Sequence, residues 1–209
     1  MKFKIFLLLF IALGGNLFSF NIVQKKMQNG LDVIFIENTT VPLVTLKLFV
    51  KAGAFIESKE YDGLSHLYEH MFFKANKMLP SQEKWMKFTR SHGMKWNGAT
   101  AKEFVYYYFT VHKKNIKHAL ELMYNSAQNP LFDKLELEKE RKVVLSEYDD
   151  GDSEPRDVFW RKVDEQKYGD LFSYKNIIGN RKIIETALND GGVDDYCDLI
   201  EGEPIIRQI

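Results

Sequence analysis

The sequence predicts an α+β domain, with helices covering one face of a mainly antiparallel sheet. Segments of alternating apolar residues and segments of helical periodicity follow one another along the chain without regular strand–helix–strand units. The first two strands are also close enough in sequence to be joined by a tight turn, which suits antiparallel neighbours.

The first elements after the N-terminal segment are predicted to be strands. Residues 22–27 and 31–37 flank Asn29-Gly30, a dipeptide that tolerates positive φ and suits a type I′ turn between paired strands. Residues 43–51 alternate between apolar and polar positions and predict a half-buried strand. Its apolar face would carry Val44, Leu46, Leu48 and Val50.

The later elements are mostly helices. We expect helices over residues 80–92, 115–128, 134–149 and 152–168, and a strand pair over residues 94–100 and 103–111. The helix over 115–128 would bury Ala119, Leu120, Met123 and Ala127. The strand pair contains Tyr106, Tyr107 and Tyr108, which we expect to be core and face residues of the sheet.

The overall composition limits the possible partners. The chain has 209 residues and is 45% hydrophobic, which suffices for a packed core. Its 29 basic and 29 acidic residues leave no net charge, so we expect no nucleic-acid partner and no broad attraction to anionic lipid. Substrate choice would then depend on local contacts.

The N-terminus predicts export. A short basic start and an apolar run too short for a comfortable span indicate a signal peptide over residues 1–19, cleaved before Phe20, with an uncleaved anchor as the alternative. The protein would be periplasmic or secreted, without a stable membrane span after cleavage. Cys197 is the only cysteine and excludes an internal disulfide. We expect a domain over residues 20–190 and a C-terminal tail, possibly truncated, over residues 191–209.

A helical segment carries an HxxEH pentad. His66 and His70 lie at i and i+4, one above the other on a helix, so both imidazoles can reach one metal, with Glu69 beside it. The alternative is an amphipathic helix whose histidines are merely partly buried. Two imidazoles at the i, i+4 spacing suit Zn²⁺, and Zn²⁺ lowers the pKa of a bound water to about 7. We expect the remaining histidines, His92, His112 and His118, to be surface residues.

A second helix carries two carboxylates on an apolar stripe. Glu140, Val143, Val144 and Glu147 follow the i, i+3, i+4, i+7 spacing. Burying ionised carboxylates is costly unless a cation and an imidazole compensate them. A solvated charged helix, with its neighbouring lysines and arginine, is the alternative.

The order HxxEH is the inverzincin motif, and residues 66–74 (HLYEHMFFK) resemble the active-site helix of the pitrilysin and insulinase family of metallopeptidases, which includes the mitochondrial processing peptidases. The resemblance implies a third ligand, a glutamate, after a gap that matches the 76 residues before Glu147. It also implies the family's metallohydrolase fold, Glu140 as the glutamate that orients a ligand histidine, and Glu69 as general base.

A substrate-binding strand is implied by the same resemblance. Asn97, Gly98, Ala99 and Thr100 are similar to the family's NAxT stretch, with Gly98 replacing the commoner alanine. An exposed edge there would hold peptide or unfolded protein through main-chain hydrogen bonds. An ordinary turn rich in Asn and Gly is the alternative.

The resemblance covers about residues 28–188, including Ile178-Gly179, and corresponds to one metal-carrying N-terminal domain. Family peptidases are normally built from two related halves that enclose the substrate, which implies a second peptidase half or homologous subunit as partner. We therefore expect an exported zinc endopeptidase. One alternative is a non-catalytic or truncated member that acts as a binding subunit, and another is a zinc hydrolase of a different substrate class.

Overall fold

The computed structural model describes residues 21–169 and 176–186. The signal peptide predicted over residues 1–19 and the tail predicted over residues 191–209 lie outside the described residues, and the limits of the intervening domain stay a prediction. Within the described ranges no helix is sufficiently long and apolar to cross a lipid bilayer.

A β-hairpin makes up the described part of an N-terminal unit that ends at Pro42. Strand β1 (Asn21–Lys26) pairs antiparallel with β2 (Asp32–Glu37). The last registered pair is Lys26 and Asp32, and the Met27 amide donates to the Leu31 carbonyl at 2.8 Å, so the connection is longer than the two residues of a type I′ turn. Gly30 supplies the positive φ of 89° that the dipeptide predicted.

The second unit begins at Leu43 and contains a three-stranded antiparallel sheet. Its strands are β3 (Leu43–Val50), β4 (Lys95–Thr100) and β5 (Val105–His112). Their order is β3-β5-β4, so β5 is central and β4 is an edge strand of this sheet. The predicted α+β class, with an antiparallel sheet and packed helices, is confirmed.

Six α-helices accompany this sheet in the described residues. They are α1 (Leu64–Phe72), α2 (Gln82–Ser91), α3 (Ile116–Gln128), α4 (Lys134–Ser153), α5 (Pro155–Tyr168) and α6 (Arg181–Thr186). Local signals explain where several of them begin. The side chain of Ser81 accepts from the Lys84 amide at 3.2 Å, and Asp133 caps the start of α4. Pro155 occupies the first turn of α5, where its missing N–H costs nothing.

The main core lies between one face of the sheet and the first three helices. Every second residue of β5 faces it, and Tyr107 stacks on Phe72 of α1 with ring centroids 3.7 Å apart. In α3 the predicted stripe is wrong at one position. Leu122 is fully buried whereas Leu120 is 51% exposed, because the buried face is centred near Ala119 and Leu120 lies about 100° around the helix from it.

A second apolar cluster joins α1, α4 and α6. It contains Leu64, Leu67, Met71, Leu137, Val144 and Ile184, each at most 5% exposed. The stripe predicted on α4 is wrong at Val143, which is 43% exposed, while Val144 is fully buried. Leu137 and Val144 are the two residues that α4 buries in this cluster. The two helices that carry the predicted metal ligands are therefore held at a fixed distance by a shared core.

Candidate metal centre

Helix α1 presents two imidazoles side by side. Leu67, Met71 and Phe72 bury its apolar side, and the rings of His66 and His70 lie with centroids 4.9 Å apart and planes at 86°. The i, i+4 spacing that the pentad predicts is thus realised on a regular helix. Both side chains are largely withdrawn from solvent, at 14% and 16% exposed.

Helix α4 brings a carboxylate to the same point. Oε2 of Glu147 lies 3.6 Å from Nε2 of His66 and 3.8 Å from Nε2 of His70. One donor atom from each of the three residues lies within 4.8 Å of the others, and the described residues contain no other group of three or more His, Cys, Asp or Glu side chains as close. Two elements far apart in sequence therefore converge on one point.

The donor set fits a tetrahedral zinc ion. Two donors at about 2.0–2.1 Å from such an ion lie roughly 3.3–3.4 Å apart, and the two nitrogen–oxygen separations above are a few tenths of an ångström longer. Two imidazoles with one carboxylate is also a donor set found in catalytic zinc sites, where a fourth position stays open. The metal-binding role of these residues stays a prediction.

The protonation of the imidazoles differs. Burial lowers the pKa of His66 to about 4, with a smaller contribution from His70, so the His66 ring is neutral at pH 7, the form that binds metal. Burial also opposes the charged form of His70, but the hydrogen bond to Glu140 and the charges of Glu147 and Glu69 raise its pKa. A cation in place of the proton would satisfy the same carboxylates.

Glu140 orients His70 from behind. Its Oε2 lies 3.2 Å from Nδ1 of His70, which leaves Nε2 of that ring facing Glu147. The other oxygen of Glu140, Oε1, forms an ion pair with Nζ of Lys74 at 2.5 Å. Burial disfavours the Glu140 carboxylate, yet its hydrogen bonds to His70 and Lys74 lower its pKa, so it is ionised.

Lys74 was not among the predicted site residues. Helical spacing does not predict its contact, because α1 ends at Phe72 and Lys74 lies two residues beyond it. It compensates the largely buried Glu140 charge, and its own side chain is only 14% exposed. The pair links the residues that follow α1 to helix α4, beside His70.

The side chain of Glu69 extends from α1 to strand β4. Its Oε2 accepts a hydrogen bond from the Thr100 hydroxyl at 2.9 Å, and burial raises the pKa of its carboxyl despite that bond. A Cβ on Gly98 would lie 3.0 Å from Oε1 of Glu69 and 3.1 Å from the Phe73 ring. Gly98, which stands where the family commonly has alanine, therefore packs closely against the Glu69 carboxylate.

The predicted substrate stretch forms most of β4. Gly98 and Thr100 face α1, whereas Asn97 is exposed on the alternate side and Ala99 is partly buried. These residues form a paired strand with β5, so the alternative of an ordinary turn is wrong. Thr100 contacts the predicted base itself, a role that the sequence did not indicate.

The three other histidines are partly buried. The sequence predicted surface positions for all three, and that prediction is wrong in this respect. His92 and His118 lie with ring centroids 4.3 Å apart beside Phe88. None of the three belongs to the ligand group described above. Their pairing follows from the packing of α2 against α3, two helices whose contact the local sequence does not reveal.

Comparison with known proteins identifies the family. The model of "Insulinase (Peptidase family M16)" matches residues 32–178. The chain belongs to the insulinase family. This confirms the resemblance drawn from the pentad and the distant glutamate.

Individual insulinase-family relatives cover most of this chain. The uncharacterized zinc protease YmxG of Bacillus subtilis is 29% identical over 169 residues, which are 81% of this chain and 41% of the relative. Subunit 1 of the bovine mitochondrial cytochrome b-c1 complex is 32% identical over 134 residues, 64% of this chain and 28% of that subunit. The chain therefore spans well under half the length of these relatives.

A solved protease structure supports the fold. A protease from Helicobacter pylori superposes with a TM-score of 0.78 at 19% identity, covering 90% of this chain and 44% of that protein. At this identity the likeness concerns the fold alone. Together with the family match, it supports the α+β metallohydrolase architecture.

Proposed function

We propose that this chain is the metal-carrying part of a zinc-dependent endopeptidase. The observation that carries the proposal is the convergence of His66, His70 and Glu147, with Glu69 one residue from a ligand. The family and a relative named as a zinc protease support the same chemistry. When bound, zinc would lower the pKa of a water molecule and polarise a peptide carbonyl.

Glu69 is the proton carrier in this proposal. Its carboxylate accepts a proton from water as the water attacks the scissile carbonyl, and it then donates that proton to the leaving amine. Burial raises its pKa, which makes proton return easier than from an exposed glutamate. The Thr100 hydroxyl holds Oε2 of this carboxylate at 2.9 Å, and Oε1 lies beside Gly98 of strand β4.

The edge of β4 is the proposed substrate site. Gly98 and Thr100 contact Glu69, so a peptide that adds to the outer edge of β4 would run beside the carboxylate. Main-chain hydrogen bonds recognise any extended peptide, which suits peptides or unfolded protein as substrates. The absence of a Cβ at residue 98 leaves room for the Glu69 side chain beneath the strand.

A binding subunit is the second candidate function. The chain spans 41% of the YmxG relative, and another relative is named as subunit 1 of the cytochrome b-c1 complex. Alignment of a peptide for cleavage needs an enclosing surface, since misplacement by about 1 Å can cost about 100-fold in rate. In this proposal a second peptidase half or homologous subunit supplies that surface.

Peptide turnover separates the two functions. Purified full-length chain is assayed on unstructured fluorescent peptides, with Glu69→Gln as the matched variant and zinc content measured in both. Zinc in both proteins and cleavage by the parent alone support the peptidase. Zinc and peptide binding in both, with no cleavage by either, support the binding subunit, and equal cleavage rates exclude Glu69 as the base.

We also propose export through residues 1–19. The basic start and the short apolar run support this proposal. Terminal sequencing of the mature protein should begin near Phe20, whereas a retained Met1 would contradict cleavage.

A further inference from the structure

Helix α1 begins without a cap of its own. The residue before it is Gly63, which has no side chain to offer and adopts a left-handed φ of 98°. The amides at a helix start need acceptors from elsewhere. Glu57, in the preceding loop, supplies two such acceptors. Its Oε2 accepts a hydrogen bond from the Gly63 amide at 3.0 Å, and its Oε1 accepts one from the Ser65 amide at 2.6 Å.

His66 depends on this anchoring more than His70 does. Glu140 hydrogen-bonds to Nδ1 of His70, whereas Nδ1 of His66 is buried and has no hydrogen-bond partner among the described residues. A ligand histidine normally has its second nitrogen held by an acceptor that fixes the ring. We infer that the direction of the His66 ring depends on the position of its backbone. Glu57 holds the amide of Ser65, the residue just before His66.

We propose that Glu57 is a positioning residue for the metal centre. Its carboxylate fixes the first turn of α1 and so directs His66 toward the point shared with His70 and Glu147. The inference rests on the proposed zinc site. Glu57 does not contact either ligand ring and acts through the helix backbone.

The other side of the same turn is also held. A Cβ on Gly63 would lie 2.8 Å from the Ile178 carbonyl oxygen, and the Asn180 amide donates to the Asp62 carbonyl at 3.2 Å. The turn is thus clamped between the Glu57 carboxylate and the backbone of residues 178–180. Because α1 has only nine residues, about two and a half turns, loosening its start would reach His66 at once.

The electrostatics agree with the geometry. A negative charge near the N-terminus of a helix is favourable because the free amides there carry partial positive charge. Burial raises the pKa of Glu57, and its hydrogen bonds to Gly63 and Ser65 oppose that rise. An amide in place of the carboxylate would keep one acceptor oxygen and lose the charge.

The test compares Glu57→Ala, Glu57→Gln and the control Glu60→Gln in the full chain. Glu60 is an exposed acid in the same loop. Zinc affinity is measured by competition with a chelator, and the visible spectrum of the Co²⁺-loaded protein reports ligand geometry. We expect Glu57→Ala to bind zinc about ten-fold more weakly than the parent and to show an altered cobalt spectrum. Glu57→Gln should have a zinc affinity between those of Glu57→Ala and the parent. Glu60→Gln should behave like the parent.

Parent-like zinc affinity and cobalt spectrum in Glu57→Ala would overturn the inference. If that variant does not fold, Glu57→Gln decides, and parent-like values for it overturn the inference equally. If Glu57→Ala binds zinc more weakly than the parent and the parent never cleaves peptide, the positioning role is supported and the peptidase proposal is refuted. A parent that binds no zinc would overturn both.

Discussion

Glu140→Gln tests how the metal centre is supported. The carboxylate joins Nδ1 of His70 at 3.2 Å and Nζ of Lys74 at 2.5 Å, one to each oxygen. Glutamine has the same shape but one acceptor oxygen, so it can keep one of these contacts and not both. Its NH₂ group would face either a donor imidazole nitrogen or the Lys74 ammonium.

The expected loss follows from the burial of these groups. All three side chains are between 13% and 16% exposed, so water compensates the lost contact poorly. Loss of a hydrogen bond that supports a ligand histidine typically weakens metal binding about 10–100-fold, or roughly 1.4–2.7 kcal/mol. We expect zinc affinity in Glu140→Gln to fall within that range.

The assay is chelator competition at pH 7.5 with matched protein concentrations. Glu138→Gln serves as the control, because Glu138 is exposed on the same helix two residues away. The control should bind zinc like the parent. Unchanged zinc affinity in Glu140→Gln would refute the reasoning that Glu140 supports His70 as a ligand.

Three further predictions concern the base, a buried acid and the shared core. Thr100→Val removes the hydroxyl that stabilises the Glu69 carboxylate, so the acid limb of the pH–activity profile should move to higher pH, and an unmoved limb would contradict the contact. Burial and the charge of Glu57 raise the pKa of Asp62 to about 7, so the fold favours its neutral form, and stability is lost as pH rises from about 4 to 7. The Tm advantage of Asp62→Asn over the parent should grow across that range and level off above it; a constant difference would contradict the shift. Leu137→Ala should lower the free energy of unfolding by about 2–5 kcal/mol in urea titrations, against less than about 0.5 kcal/mol for exposed Leu135→Ala, and equal effects would contradict the second cluster.

Most elements of the fold could be predicted because periodicity is a local property. The strand at Leu43–Val50 and the helix carrying the pentad follow directly from alternation and from i, i+4 spacing. Which apolar residue of a pair is buried depends on the neighbouring helix. Val144 faces α1 and Val143 does not, and nothing in the local sequence distinguishes these adjacent valines.

The candidate ligands could be named from the sequence because they follow a family pattern in residue type and spacing. The groups that support them could not. Lys74 and Glu57 act through contacts whose partners are set by the packing of loops and helices in three dimensions. From sequence alone, Glu57 in its charged loop would be expected to be solvated. In the structure its two oxygens accept hydrogen bonds from the amides of Gly63 and Ser65.

The central claim is that one helix and a distant glutamate hold a single cation. Anomalous diffraction at the zinc edge, from crystals of the chain grown with one equivalent of Zn²⁺, tests it most directly. We expect one peak within about 2.0–2.2 Å of Nε2 of His66, Nε2 of His70 and a carboxylate oxygen of Glu147. A peak elsewhere, or none at this site, would contradict it.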